Sequence, residues 1–354
     1  MKPLFGQVVF AVGKAEYCWE DVVLAAELWG DGARLRDRVR EAVACLKRAD
    51  DEGAPLSAEE IESAADEFRY ARDLVAAEEM EEWLGRWGLT AESWMDSIRS
   101  TLLRKKWSDD LADLVSEESP TDEDVDARIP AEVVCSGELE RLATELAGRC
   151  AIDDREERER SNGPGREPDV AAIFEQFPSD LRERGLPGLS LDASRARMER
   201  LARVEACYRR FCETAVTPEA VAAQIHASQT DWMRVECDSV SFPEEQAARE
   251  AAFCVREDGE RLDRVAEDAN LQVHREQVYI EATEPDFRHH FLGAQKGEVI
   301  GPIGRGEEFV LYLVREKVLP SGNDPQIAAR AEEAVVQRFV DREVNDRVKW
   351  RFAF

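Results

Sequence analysis

The stretch that most limits how this chain can fold lies near its C-terminus. After Phe287 come Gly297-Glu298-Val299-Ile300-Gly301-Pro302-Ile303 and then the apolar run Phe309-Val310-Leu311-Tyr312-Leu313-Val314. Glycine and proline so placed end a helix and turn the chain, and a short apolar run rich in valine and aromatic residues reads as a strand, here Phe309–Val318. Upstream, Met233–Phe242 reads as a strand, Pro243–Arg256 and Leu262–Ala269 as helices, Val273–Ile280 as extended chain and Pro285–Gly293 as a helix. These segments follow the order β-α-α-β-α-β over about 85 residues.

The rest of the chain has helical periodicity. An extended piece at Gln7–Val12 precedes Gly13-Lys14, and helices follow to about Trp107. Ser57-Ala58-Glu59-Glu60 is a capping box, so a helix starts there, with Ile61, Ala64, Ala65, Phe68 and Ala71 on one face. Met80, Trp83, Leu84 and Trp87 share a face of the next helix, which Gly88 stops; Thr90 caps another that carries Trp94, Ile98, Leu102 and Trp107. Tryptophans at such spacing either build a core or rim an apolar groove for a peptide, and Trp83 and Trp87 are the candidates for the second role.

Ser108–Pro130 turns acidic and reads as a connector, followed by a short helix, Ser136–Cys150. Asp153–Pro168 has no apolar residue and reads as a mobile linker, although its alternating charges could extend the preceding helix by a turn or two. Met198, Leu201, Val204, Tyr208 and Phe211 mark a helix over about 193–215, and Thr217-Pro218-Glu219 caps one that ends near Trp232. Ile327, Ala331, Val335, Phe339, Val340, Val344 and Val348 make an apolar stripe on a helix expected over Asn323–Trp350.

With 354 residues the chain exceeds one typical domain. A net charge of −29, from 76 acidic and 47 basic residues, repels phosphate backbones and anionic lipid. Nucleic acid and membrane surfaces are therefore poor partners, and the acidity gives either a solvated, aggregation-resistant surface or attraction of a basic partner such as a cationic peptide. No run approaches the roughly 18 apolar residues of a spanning helix, and the N-terminal residues do not read as a secretory signal, so the expected location is cytoplasmic. The eight cysteines are scattered without metal-ligand spacing. Cys207 and Cys212, five apart, stand about 140° around a helix, too far for shared ligation. No cofactor or metal is expected. Phosphate loops, zinc-protease motifs and nucleophile elbows are likewise missing from the sequence.

The β-α-α-β-α-β order and the Gly-Glu-Val-x-Gly-Pro element resemble the parvulin-type prolyl isomerase domain, which implies a small antiparallel sheet covered by helices. The N-terminal third, with Gly-Leu-Thr-x-x-x-Trp-x-x-x-Ile-Arg-x-x-Leu-Leu at 88–103, resembles the N-terminal region of SurA-type chaperones. Together these point to the SurA/PpiC-related proteins of peptide maturation systems. The resemblance implies an α+β, mainly helical chain divided into a SurA-like helical domain (1–110), a helical middle region (111–232) with a charged linker (153–168), a degenerate parvulin-like domain (233–319) and a C-terminal helix (320–354) packed on the N-terminal domain.

The departures from that pattern concern catalysis. Laid on this sequence, the first-strand histidine of active parvulins falls at about Cys237 and the last-strand one, which should face it, at Val310. The usual serine or threonine before the last strand becomes Arg305. Phe287 remains as the aromatic wall of the proline pocket, with Phe291 beside it. The four histidines, His226, His274, His289 and His290, lie elsewhere and read as surface or capping residues. An apolar Val310 offers nothing to stabilise a twisted amide, and Cys237 as a nucleophile has no base that the sequence identifies. The expected function is a peptide-binding chaperone or adaptor for a ribosomally made precursor peptide and its modifying enzyme. A weakly active prolyl isomerase and a scaffold subunit are the alternatives.

Overall fold

The computed structural model describes residues 6–53, 56–160 and 169–352. These are mainly helical with two small antiparallel sheets, an α+β arrangement. Chain contacts divide into two units, Met1–Glu213 with Phe339–Phe354, and Thr214–Arg338. Contacts divide the chain at 213/214 and 338/339, so 111–213 of the expected middle region fall with the N-terminal helices and 214–232 with the second unit. Among the described residues, no helix is long and apolar enough to cross a membrane.

The first unit opens with strands β1 (Val8–Val12) and β2 (Ala15–Cys18). Helices α1 (Trp19–Trp29), α2 (Asp31–Glu52), α3 (Ala58–Tyr70), α4 (Ala77–Trp87) and α5 (Ala91–Lys106) follow. The predicted caps form. The Glu60 amide donates to Ser57 Oγ at 3.2 Å while the Ser57 amide donates to Glu60 Oε2 at 2.7 Å, and the Ser93 amide donates to Thr90 Oγ1 at 3.1 Å.

The expected connector at 108–130 is instead helical, as α6 (Leu111–Glu118) and most of α7 (Asp122–Cys135). Asp122, Glu123 and Asp124 lie in the first turn of α7, where carboxylates complement the free amides, and Thr121 caps Asp124. The acidity marks a helix start there. Similarly, α8 runs Glu138–Arg160, so 153–160 of the expected linker continue the helix, with Asp154–Arg158 and Arg155–Glu159 paired at i,i+4. The remainder of that linker, 161–168, lies outside the described residues. Short helices α9 (Val170–Phe174) and α10 (Ser179–Arg184) lead to the long α11 (Leu191–Ala215).

The second unit begins with α12 (Pro218–Ala227). It continues through β3 (Arg234–Phe242), α13 (Glu245–Arg256), α14 (Leu262–Asp268), β4 (His274–Tyr279), a 3-10 turn (Ile280–Ala282), α15 (Pro285–Gly293), β5 (Val299–Arg305) and β6 (Glu308–Val318). The sheet order is β4-β3-β6-β5, all antiparallel. β5 is an addition to the expected set: the Gly-Pro element is an edge strand as well as a turn.

Helix α16 (Pro325–Arg347) ends before Trp350; Val348–Trp350 form β7, which pairs with β1 through Phe10↔Trp350 and Val12↔Val348. Ala331 and Val335 are buried within the second unit, where Arg338 hydrogen-bonds Gln224 of α12. Of the helix expected to pack on the N-terminal domain, the part through Arg338 thus falls in the second unit and the part from Phe339 in the first.

In that part of α16, Val340 and Val344 approach α8 so closely that a Cβ on Gly148 would stand 2.6 Å from Val340 Cγ1. Only glycine fits this crossing. Gly148→Val should destabilise by about 1–3 kcal/mol through overpacking, measured by denaturant unfolding. In a Val340→Ala background the same substitution should cost less, because the opposing methyl is gone; an equal cost in both backgrounds would refute the close approach.

Candidate functional site

Alternation along β3 sends Val235 and Cys237 to one face of the second unit's sheet, and Val240 and Phe242 to the other. The Val240 face joins Leu311 of β6 and is covered by α13 and α14 through Ala248, Ala251, Leu262 and Val265. The Cys237 face joins Val310, Tyr312 and Val314 of β6 and Ile300 of β5, and is covered by Phe291 of α15. Phe291 packs edge-on against Tyr312 with ring centroids 5.3 Å apart.

Cys237 and Val310 are buried in this layer, at 1% and 2% exposure. A register shift between Glu236 and Cys237 sets Cys237 opposite Val314, while Val310 lies opposite Ser241. The resemblance implies that these two positions face each other; they share a face but do not confront one another, because the shift and the strand offset separate them. Burial, and beyond it the negative charges of Glu276 and Asp238, pushes the Cys237 thiol up to about 12. It is a neutral packing group. Burial also raises the Tyr312 phenol, Glu276 adding to the rise and the Arg305 guanidinium opposing it.

Arg305, at the exposed end of β5, reaches Glu276 of β4, its Nη1 3.5 Å from both carboxylate oxygens. Since β4 and β5 are the two edges of the sheet, this pair spans the face above β3 and β6.

Beside this layer a cleft of about 480 Å³ is lined by Phe287, His289, His290, Ile300, Pro302 and Ile303, with Arg256 and Glu298 among its polar lining. Phe287 is half-buried, and the His289 and His290 rings lie 3.9 Å apart. Arg256 donates to the carbonyl of Val299 at 3.0 Å and to that of Gly301 at 2.6 Å, occupying acceptors on the β5 edge. The geometry offers apolar surface, imidazoles and one carboxylate around a concave wall, which suits holding a peptide side chain.

Of the residues singled out from sequence, Phe287 lines this cleft, Arg305 lies on the face beside it, and Phe291, Cys237 and Val310 are core. Trp83 and Trp87, in the first unit, are each 5% exposed. Trp83 meets Phe68 edge-on at 5.4 Å, and Trp87 meets Trp19 at 5.5 Å and Phe352 at 4.8 Å. The groove reading of these two tryptophans gives way to a core reading, since their faces are consumed by one another and by the returning C-terminus. Sequence reasoning missed Glu276, Tyr312, Ile300, Pro302, Ile303 and the roles of His289 and His290. The signal for Ile300–Ile303 was present in the Gly-Pro element, which was read only as a turn.

No protein-family model matches the chain, and no curated protein matches it; the functional argument therefore stands on these residues.

Thiol chemistry tests the site's electrostatics. At pH 8 a thiol with a pKa of about 12 is ionised on the order of a thousandfold less than a free cysteine. Alkylation of the native protein by iodoacetamide, mapped by mass spectrometry, should spare Cys237 relative to the half-buried Cys254, and denaturant should abolish the difference. Rapid native labelling of Cys237 would contradict its burial.

Proposed function

We propose that the protein is a peptide-binding chaperone or adaptor acting on a ribosomally made precursor peptide, and that its second unit holds the client without chemistry. The observation that carries this reading is the Phe287 cleft, a concave surface of apolar and imidazole groups next to positions where the resemblance calls for catalytic side chains. At those positions stand a sealed neutral thiol and a valine. An apolar side chain of the client would lie against Phe287, Ile303 and Pro302, with Glu298 within the same lining to receive a basic neighbour. Prolyl isomerisation requires a barrier of about 18–20 kcal/mol to be lowered by groups placed where the amide twists, and Cys237 and Val310 provide none.

The test is titration of an Ala-Leu-Pro-Phe tetrapeptide and of longer peptides containing it, by calorimetry, alongside a proline isomerisation assay. Saturable binding is expected, weakened by Phe287→Ala roughly tenfold, about 1.4 kcal/mol, with no acceleration of isomerisation. Absence of binding below about millimolar would refute the reading. Acceleration that disappears in Phe287→Ala would replace it with the isomerase alternative.

A further inference from the structure

A cavity of about 820 Å³ opens in the first unit between α1, α2, α7, α8 and α10. Its interior is apolar: Val133, Leu139, Leu142, Leu181 and Leu186 are all buried there. One wall is pinned, because the Leu186 amide donates to Ser194 Oγ at 3.0 Å and Ser194 is itself fully buried.

The polar part of the lining is organised too. Arg36 grips Glu27 with both ends of its guanidinium, at 3.1 Å to each carboxylate oxygen. The Glu27 carboxyl lies over Gly32 in the first turn of α2, so close that a Cβ there would be 2.4 Å away. This pair is locked and neutral as a unit. Around it, Asp126, Asp180 and Arg184 line the cavity and are exposed, leaving the mouth net negative.

We propose that this cavity is a second peptide-anchoring site, which takes an apolar side chain into its floor and an adjacent lysine or arginine at its acidic mouth. The volume falls within the roughly 300–1,000 Å³ of ordinary ligand sites. The apolar floor requires an apolar group, the one surplus carboxylate favours a cation beside it, and the −29 charge of the chain draws such a segment from a distance. The site shares no residue with the Phe287 cleft, and the two readings stand separately.

Fluorescein-labelled Leu-Lys-Leu-Lys and Leu-Glu-Leu-Glu, titrated against the full chain by anisotropy, test the proposal. The lysine peptide should bind at least about tenfold more tightly than the glutamate peptide, with the preference fading as salt rises. Asp126→Lys with Asp180→Lys, both surface changes, should weaken the lysine peptide roughly tenfold. Leu35→Trp, from a half-buried wall position, should fill the cavity and abolish binding while unfolding stays cooperative. Hydrogen exchange with the lysine peptide bound should show protection within 23–36 and 126–142. Equal binding of the two peptides, no binding, or affinity unmoved by the Asp126/Asp180 reversal overturns the proposal. Protection confined to 285–303 also overturns it, and leaves the reading of the second unit intact.

Discussion

The pairing of β1 with β7 is the constraint on which the first unit depends. It sets Phe10 opposite Trp350 and brings the amides of Arg351 and Phe352 onto the carbonyl of Val9, at 2.8 and 3.1 Å. Phe352 then enters the aromatic cluster, 5.3 Å from Trp19 and 4.8 Å from Trp87. The first strand and the last residues of the described chain thus close one core, and Thr214–Arg338 is an insertion within its sequence. The entropy of closing so long a loop rises only slowly with its length, whereas each buried aromatic contributes a few kcal/mol. Folding of the first unit must nonetheless wait for a contact of very high sequence separation.

An acidic chain that buries carboxylates must pair them. Asp21, fully buried, accepts from the Cys18 amide at 2.8 Å and from Arg197 and Arg200 at 2.7 and 2.6 Å. Glu205 is buried among Arg149, Arg209 and the Trp29 indole, at 2.9, 2.7 and 3.1 Å. Both networks involve α11, whose arginines hold α1 and whose Glu205 holds α8. Breaking one partner would strand a buried charge, a larger penalty than the net gain of forming the pair. The excess acid at the surface is free to shape the field around the molecule; the acid inside is committed to architecture.

What the sequence made legible was local. Ser57, Thr90 and Thr217 announce helix starts because a cap is a short-range hydrogen bond, and all three form. The strands β3 and β6 were legible from their apolar runs. Charge is an ambiguous signal: at 122–124 it reads as a connector, whereas the carboxylates begin a helix, and at 153–160 the alternative reading, an extension of the preceding helix, is the one that forms, with arginines paired one turn away. β7 has three residues and no pattern of its own; its strand state is conferred by β1. The register of β3 on β6 was hidden for the same reason, since a bulge at Glu236/Cys237 is a property of the pair of strands. In the candidate site, Phe287 could be found by its motif, but the cavity beneath Glu27 and Arg36 is assembled from five helices whose side chains share no sequence pattern.

On the proposed reading, the second unit's sheet face would hold a peptide without acting on its amide bonds. Catalysis on an amide needs polar groups aimed at a developing charge, and on this face the inward positions Cys237, Val310 and Val314 are packing groups under Phe291. The polar groups that remain, Arg305 and Glu276, engage each other across the sheet and act on the Tyr312 hydroxyl beneath. Recognition asks for less: a concave apolar wall, a few polar atoms at its rim, and a field that favours the right sign of charge. In the proposed reading Phe287, Ile303 and Pro302 would meet the first demand, His289, His290 and Glu298 the second, and the −29 charge of the chain the third. The proposed reading is physically economical for this reason: apolar contact tolerates substitutions that electrostatic preorganisation does not.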